Sequence, residues 1–275
     1  MVICFGLTIG VMLIAMLPVI IAMVVMGIDT QVGINALIHN PFGFSIFSPV
    51  ISALMVLGLW LAFRNIHRRS FLTLIRADQT IRWTQIGKGA LVWLGLGLLA
   101  IGALALLSPG RYQVTFVAQD WFQFLIPALI AIPAIALFQG LVYAYLLQGL
   151  GLLIHKPTRL AIVMALIQGL SSQIGQPPNI LVFASVIALA GFVAWIVLEN
   201  QGIELFLGIC IARLALMFLV LRSPDAPAPF PTVLQRTDAG LDLIGVITLL
   251  VTMALFYGIC LGWPWQRVAP TNNPD

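Results

Sequence analysis

The polar side chains inside the long apolar stretches of this chain are two amides, a phenol and a guanidinium: Gln139, Tyr143, Gln173 and Arg213. These groups donate and accept hydrogen bonds, but none is a carboxylate or an imidazole that could deprotonate a water or hold a catalytic metal. Hydrogen bonding between helices is the ordinary use of such residues. The alternative is a pocket that binds a small polar ligand or a lipid head group.

Acids and histidines lie outside these stretches. No Asp or Glu occurs between Asp120 and Glu199, and the three histidines, His39, His67 and His155, fall in predicted loops. Two carboxylates and two imidazoles therefore cannot be brought together inside the apolar segments. The sequence predicts no metal and no other cofactor.

Arg213 is the only charge predicted in the middle of an apolar span, in the stretch ICIARLALMF. An arginine at this depth is unfavourable in lipid, so it finds a partner or a water-filled cavity, or its head reaches the interface if the span boundary differs. Glu204 is too far along the same helix for an i,i+4 contact. Otherwise we expect Arg213 to point into a cavity where Gln139 or Gln173 accepts its hydrogen bonds.

The three cysteines, Cys4, Cys210 and Cys260, all fall in apolar segments. An odd number without paired spacing gives neither a disulfide framework nor a CxxC metal site. We expect buried thiols that pack as small hydrophobic groups. Cys210 precedes Arg213 on the same helix face, and no histidine is available to form a dyad with it.

The composition places the chain in a membrane. Its 275 residues are 61% hydrophobic and 8% charged, whereas a soluble domain carries roughly a quarter charged residues. The net charge of +4 is small, and the basic residues are clustered, which indicates membrane topology and not nucleic-acid binding. No phosphate-binding glycine motif lies between a strand and a helix.

Runs of about 20 apolar residues predict a single all-α domain over 1–275 with about eight transmembrane helices. The predicted spans are 2–27, 46–63, 89–108, 122–154, 158–175, 180–198, 203–221 and 240–262. The fourth is too long for one straight span, and Pro127 and Pro133 predict a kink or an interfacial beginning.

The basic residues orient these spans. They lie between the second and third spans, where 71–88 is expected to be a basic amphipathic stretch at the interface, and between the fourth and fifth, at Lys156 and Arg159. The positive-inside rule makes both loops cytoplasmic, and both termini with them. We expect a bacterial inner-membrane protein, with the Pro-rich connection 222–238 on the opposite side.

From about Leu74 onward, the order of features resembles the CPBP family of membrane proteins, also called CAAX-protease or abortive-infection (ABI) proteins. The stretch Ile81-Arg82-Trp83 precedes an apolar core, and a long helix ends in YLLQGL at 145–150. The resemblance covers the core at about 74–221, with N-terminal helices in 1–63 and a C-terminal helix at 240–262 outside it. It implies that active members bring two glutamates and two histidines together from separate helices to hold a metal or activate a water.

None of these catalytic residues is present here. When the chain is aligned on the family motifs, the acid pair falls on Phe138 and Gln139, and the arginine falls on Tyr143. The histidine of the second motif falls on Gln173, and the last motif falls on Cys210 and Leu214. The resemblance therefore implies a vestigial site in a catalytically inactive member.

The predicted function is that of a structural or regulatory subunit that binds another integral membrane protein or lipid. The alternative is an intramembrane metalloprotease of the CPBP type with a substituted active site or one completed by a partner chain. A small transporter or lipid-handling protein is a third possibility, but intramembrane charge and paired half-helix motifs are nearly lacking.

Overall fold

The computed structural model describes residues 40–68, 70–76, 78–173, 179–224, 229–238 and 243–262. The first predicted span, 2–27, and Cys4 lie outside the described residues. Seven α-helices occur in the described part of the chain: α1 Pro41–Ala62, α2 Trp83–Leu107, α3 Ala118–Gly151, α4 Pro157–Ser171, α5 Ile180–Asn200, α6 Glu204–Ala215 and α7 Leu243–Leu261.

Five of these helices, α1, α2, α3, α5 and α7, are long and apolar enough to cross a membrane. The helical membrane architecture predicted from the sequence is thus present, but the count of about eight spans is not confirmed. Helix α4 has 15 residues and α6 has 12, fewer than a straight crossing needs. A π-helical turn, Leu216–Val220, continues α6 towards the length of a span.

Three helices begin earlier than hydropathy alone predicts. Helix α1 begins at Pro41 because Asn40 caps it: Asn40 Oδ1 accepts hydrogen bonds from the N–H of Phe42 at 2.9 Å and of Gly43 at 3.2 Å. Proline at the first helical position adds to this start signal. A polar cap carries little weight in a hydropathy window, so the predicted start at 46 was too late. Helices α2 and α3 have no side-chain cap, and polar residues in their first turns, such as Thr84 and Gln119, made the predicted starts at 89 and 122 too late.

Helix α3 is continuous through Pro127 and Pro133, with 34 residues. At 1.5 Å per residue it is about 51 Å long, well beyond a hydrocarbon core of about 30 Å. Its first turn lies at the end of the bundle where the π-helical turn Leu216–Val220 ends. There Trp121 Nε1 donates a hydrogen bond to the Leu219 carbonyl at 2.9 Å. The helix is uninterrupted at both prolines, and the kink or interfacial beginning stays a prediction.

A small sheet closes that end of the bundle, which we call the sheet end. Its strands are β1 Tyr112–Val114, β2 Leu221–Arg222 and β3 Leu234–Arg236, in the order β1-β3-β2. β1 and β3 are antiparallel, whereas β2 and β3 are parallel. The sequence predicted only a surface connection here, because strands this short give no periodicity.

Aromatic residues fasten the sheet end to the helices. Phe218 of the π-helical turn stacks on Phe230 with ring centroids 4.5 Å apart, and Phe124 of α3 lies 5.7 Å from the same ring. Phe44 of α1 contacts Phe230 at 5.5 Å. All but Phe44 are fully buried, so this cluster is a hydrophobic core shared by α1, α3, the end of α6 and the connection before β3.

The opposite end of the bundle, which we call the basic end, holds most of the described positive charges: Arg64, Arg68, Arg76, Arg82, Lys88, Lys156 and Arg159. The segment at 71–88 is a short 3-10 helix, Phe71–Leu74, followed by an irregular turn and the first residues of α2. That this basic segment lies at the membrane interface stays a prediction. Thr80 donates side-chain and backbone hydrogen bonds to Asp78, which lowers the pKa of that carboxyl, and Arg76 favours the same ionised form.

A buried ion pair holds this segment against the start of α6. Glu204 is fully buried, and its Oε1 lies 3.5 Å from Nη1 of Arg76, whose side chain is 11% exposed. The backbone is joined beside it, where the Ile203 N–H donates to the Ile75 carbonyl at 3.1 Å. Within the described residues the second oxygen, Oε2, has no hydrogen-bond partner, so Arg76 carries the electrostatic compensation of this carboxylate.

Helices α2 and α6 approach each other through glycines on both sides. A Cβ at Gly89 would lie 2.7 Å from the Leu205 carbonyl oxygen, and one at Gly208 would lie 2.5 Å from the Ala90 nitrogen. Both contacts are with backbone, which cannot move aside as a side chain can. Glycine at these two positions is therefore a requirement of the helix crossing, as expected for close packing in membranes.

We predict that Gly208→Ala separates α2 from α6 and lowers the free energy of unfolding by about 1–3 kcal/mol, the usual effect of overpacking. Thermal unfolding in a mild detergent measures this. Gly95→Ala is the matched control, because nothing lies within 4 Å of a Cβ there. Equal stability of the two variants would contradict the proposed crossing.

We predict that Glu204→Ala destabilises the protein by about 3–5 kcal/mol, because it leaves the largely buried Arg76 without its buried partner. The double variant Arg76→Met/Glu204→Met removes both charges and should lose less. Arg82→Gln is the control, since Arg82 is half exposed and 3.9 Å from Asp78, and its loss should stay below about 1 kcal/mol. A double variant that is less stable than Glu204→Ala would refute the account.

Candidate functional site

A cavity of about 720 Å³ lies among helices α3, α5 and α6, and α2 and α4 each contribute one residue to it. We call it the central cavity. Its volume falls within the range of about 300–1,000 Å³ that is usual for small-molecule sites. Most of its lining is apolar, and its polar residues are Gln139, Tyr143, Gln168, Cys210 and Arg213.

Five of the six positions predicted for the vestigial site line the central cavity: Phe138, Gln139, Tyr143, Cys210 and Leu214. Arg213, predicted to point into a cavity, lines it as well. These residues come from two helices that are distant in the sequence, α3 and α6. The structure therefore brings most of the singled-out residues to one place.

The sixth position, Gln173, does not line the cavity. Helix α4 ends at Ser171, so Gln173 lies past its last turn, where its Oε1 accepts a hydrogen bond from the Asn179 N–H at 3.4 Å. The amide that α4 contributes to the cavity is Gln168. The sequence indicates Gln168 only as a polar residue inside a short apolar helix. The family motif falls on Gln173, so the sequence predicted that glutamine for the site instead.

The α3 side of the cavity is fixed by Tyr143. Its hydroxyl donates to the Ala190 carbonyl of α5 at 3.1 Å, and its ring lies 4.7 Å from that of Phe206 on α6. Gly140 lets α6 approach, since a Cβ there would collide with the Leu207 side chain. Hydrogen bonding between helices, the ordinary use expected of Tyr143, is what this side chain does.

The α6 side of the cavity is a stripe of residues at helical spacing, Phe206, Cys210, Arg213, Leu214 and Met217. Cys210 is a buried free thiol, as predicted for a small hydrophobic group. Cys260, on α7, is partly buried and also free.

Arg213 lies in the interior of its helix. It is roughly 13 Å along the axis from Glu204, at 1.5 Å per residue, and the π-helical turn continues the helix beyond it to Val220. Among the described residues Arg213 forms no ion pair and donates no side-chain hydrogen bond, so the expected bonds to Gln139 or Gln173 are not formed.

The groups around the cavity favour binding of negative charge. Arg213 supplies a fixed positive charge, and the amides of Gln139 and Gln168 supply N–H donors. None of the described residues that line the cavity carries a carboxylate or an imidazole, and the described residues contain no cluster of three His, Cys, Asp or Glu that could hold a metal ion. His155 lies in the loop between α3 and α4, at the basic end.

A second cavity of about 270 Å³ adjoins the central cavity. Ile101, Leu216 and Leu221 line both. The second cavity continues between α2 and α7 to the sheet end, where Arg111 and Asp238 are 3.6 Å apart. The boundary between the two cavities is thus apolar, and the charged groups of the second one are paired at its outer end.

Comparisons of this chain with protein-family models, with curated proteins and with solved structures found no match. The resemblance of residues 74–221 to the CPBP family therefore depends on the sequence features alone.

We predict that Tyr143→Phe lowers the free energy of unfolding by about 0.6–1.7 kcal/mol, because the Ala190 carbonyl loses the hydroxyl that donates to it inside the bundle. Thermal unfolding in detergent gives the value. Phe138→Leu, on the same cavity wall but without a polar contact, is the comparison for a change of shape alone. A Tyr143→Phe variant as stable as the natural protein would contradict this role of the hydroxyl.

Proposed function

We propose that this protein is a catalytically inactive membrane protein of the CPBP type that acts as a structural or regulatory subunit. It binds another membrane protein or a lipid through the scaffold that active relatives use for a substrate. The observation that supports this proposal is the central cavity, where Phe138 and Gln139 occupy the positions of the acid pair and Cys210 and Leu214 those of the last motif.

The chemistry of the cavity lining supports a binding function. Hydrolysis of a peptide bond needs a base for the water and a group or metal that stabilises the oxyanion. The lining offers one guanidinium, two amides, a phenol that is already hydrogen-bonded and a buried thiol. These groups hold a ligand in place, and a scaffold that keeps its cavity without a base suits recognition better than turnover.

The proposed location is the inner membrane of a bacterium, with the basic end in the cytoplasm. Most of the described Lys and Arg residues lie at that end, and short basic loops stay on the cytoplasmic side. If α4 and α6 complete crossings together with the five longer helices, successive helices alternate in direction and the sheet end faces outward. Seven crossings leave the two ends of this set on opposite sides, so both termini would be cytoplasmic if 2–27 adds the eighth predicted crossing.

The test is purification at natural abundance in a mild detergent, with subunit ratios from mass spectrometry and metal content from elemental analysis. We expect a stoichiometric membrane-protein partner or a retained lipid, and less than one zinc per ten chains. Cleavage of a transmembrane substrate should be undetectable and unchanged by a chelator.

Stoichiometric zinc with chelator-sensitive proteolysis would overturn the proposal in favour of a protease with substituted residues. In that case Gln139→Ala should abolish the cleavage. Proteolysis that appears only with a copurifying subunit would identify a site completed by a partner chain.

A further inference from the structure

We propose that the central cavity is a binding site for a single-chain anionic amphiphile, whose carboxylate or phosphate pairs with Arg213 while its apolar chain lies along the cavity wall. This inference rests on the proposed function and specifies its ligand. The shared chemistry of the two head groups is an oxyanion, which accepts charge-assisted hydrogen bonds.

The unpaired charge of Arg213 favours such a ligand, because its exposed side chain lines an open cavity that a molecule can enter. An arginine at the interior of a membrane helix pairs with an opposite charge, with backbone carbonyls or with water. In the described part of the chain every acidic side chain lies at an end of the bundle. The nearest along the helix is Glu204, and it is already paired with Arg76. Arg213 thus has no anionic partner within the described residues, and it lines a cavity large enough to admit one.

The polar groups beside Arg213 match an oxyanion. Gln139 of α3 and Gln168 of α4 line the same cavity, and each carries two N–H donors. Neither side chain is occupied by another hydrogen bond within the described residues. Tyr143 does not compete for the ligand, because its hydroxyl is committed to Ala190. One cation and two amides from three helices thus line the same cavity.

The size of the cavity favours an amphiphile over a protein helix. A transmembrane helix of 20 residues is about 30 Å long and 10 Å wide, a cylinder of about 2,400 Å³. The central cavity holds about 720 Å³, less than a third of that. A whole spanning helix would therefore lie mostly outside the cavity, whereas a molecule with one acyl chain is of a size that the cavity can hold.

The remaining wall suits an acyl chain. Val142, Leu189, Val193 and Met217 line it together with aromatic Phe138 and Phe206. Towards the sheet end, the apolar boundary at Ile101, Leu216 and Leu221 leads into the second cavity. A chain longer than the central cavity thus has an apolar continuation, and it does not meet an unpaired charge before the sheet end.

The experiment measures ligand-dependent thermal stabilisation of the full chain in nanodiscs of phosphatidylcholine, titrated with three probes of equal chain length. These are palmitate, palmitoyl lysophosphatidylglycerol and zwitterionic palmitoyl lysophosphatidylcholine, with inorganic phosphate as the head group alone. We expect at least one anionic amphiphile to bind about tenfold more tightly than the zwitterion, which is the effect of one charge-assisted hydrogen bond. Phosphate alone should have no effect.

Arg213→Gln should remove the preference for the anionic probe, and Arg213→Lys should keep most of it. Gln139→Leu should weaken binding severalfold, while Gln173→Leu, the same change outside the cavity, should leave it unchanged. If Arg213→Gln does not fold, the inference is tested by comparing Gln139→Leu with Gln173→Leu and by comparing the anionic and zwitterionic probes. Preference for palmitate identifies a carboxylate ligand, and preference for the lysophospholipid identifies a phosphate.

Equal binding of all three amphiphiles, or an anionic preference that survives Arg213→Gln, would overturn the inference. So would a cross-linker at position 213 that captures only a protein chain. None of these results touches the proposed absence of catalysis, which is tested separately by zinc content and proteolysis.

Discussion

The close contact between α2 and α6 is the constraint on which the rest of the structure depends. Gly89 and Gly208 remove the side chains that would keep the two backbones apart, and the Arg76–Glu204 pair holds the preceding segment over the start of α6. In a bilayer, burial of apolar surface does not drive helices together, so close packing and interhelical polar contacts decide their arrangement. Helix α6 is short, and these contacts fix its position.

Once α6 is fixed, the position of the central cavity follows. One face of α6 packs on α2 through Gly208, and another carries Cys210, Arg213 and Leu214 towards α3 and α5. Gly140 of α3 accommodates Leu207 of α6, which brings Gln139 to the same cavity. Arg213 thereby faces the central cavity, where its side chain remains exposed. The cavity therefore lies on the face of α6 that does not pack against α2.

The sequence predicted the helical membrane fold, and most of the residues that it singled out line the cavity, because long apolar runs and polar residues within them are local signals. It failed where the signal is not local. The start of α1 depends on the cap at Asn40, and the choice of Gln168 over Gln173 depends on where α4 ends. The pairing of Arg76 with Glu204 joins residues far apart in the chain, and no periodicity reveals it. The three short strands are likewise defined only by their partners.

The central claim is that the cavity around Arg213 holds an anionic ligand in a protein without catalysis. Native mass spectrometry of the protein released from its own membrane, without added lipid, tests this most directly. We predict a bound mass of one anionic single-chain amphiphile on the natural protein, which is missing from Arg213→Gln and retained in Gln173→Leu. A ligand-free mass for all three proteins, or the same bound lipid in all three, would contradict the account.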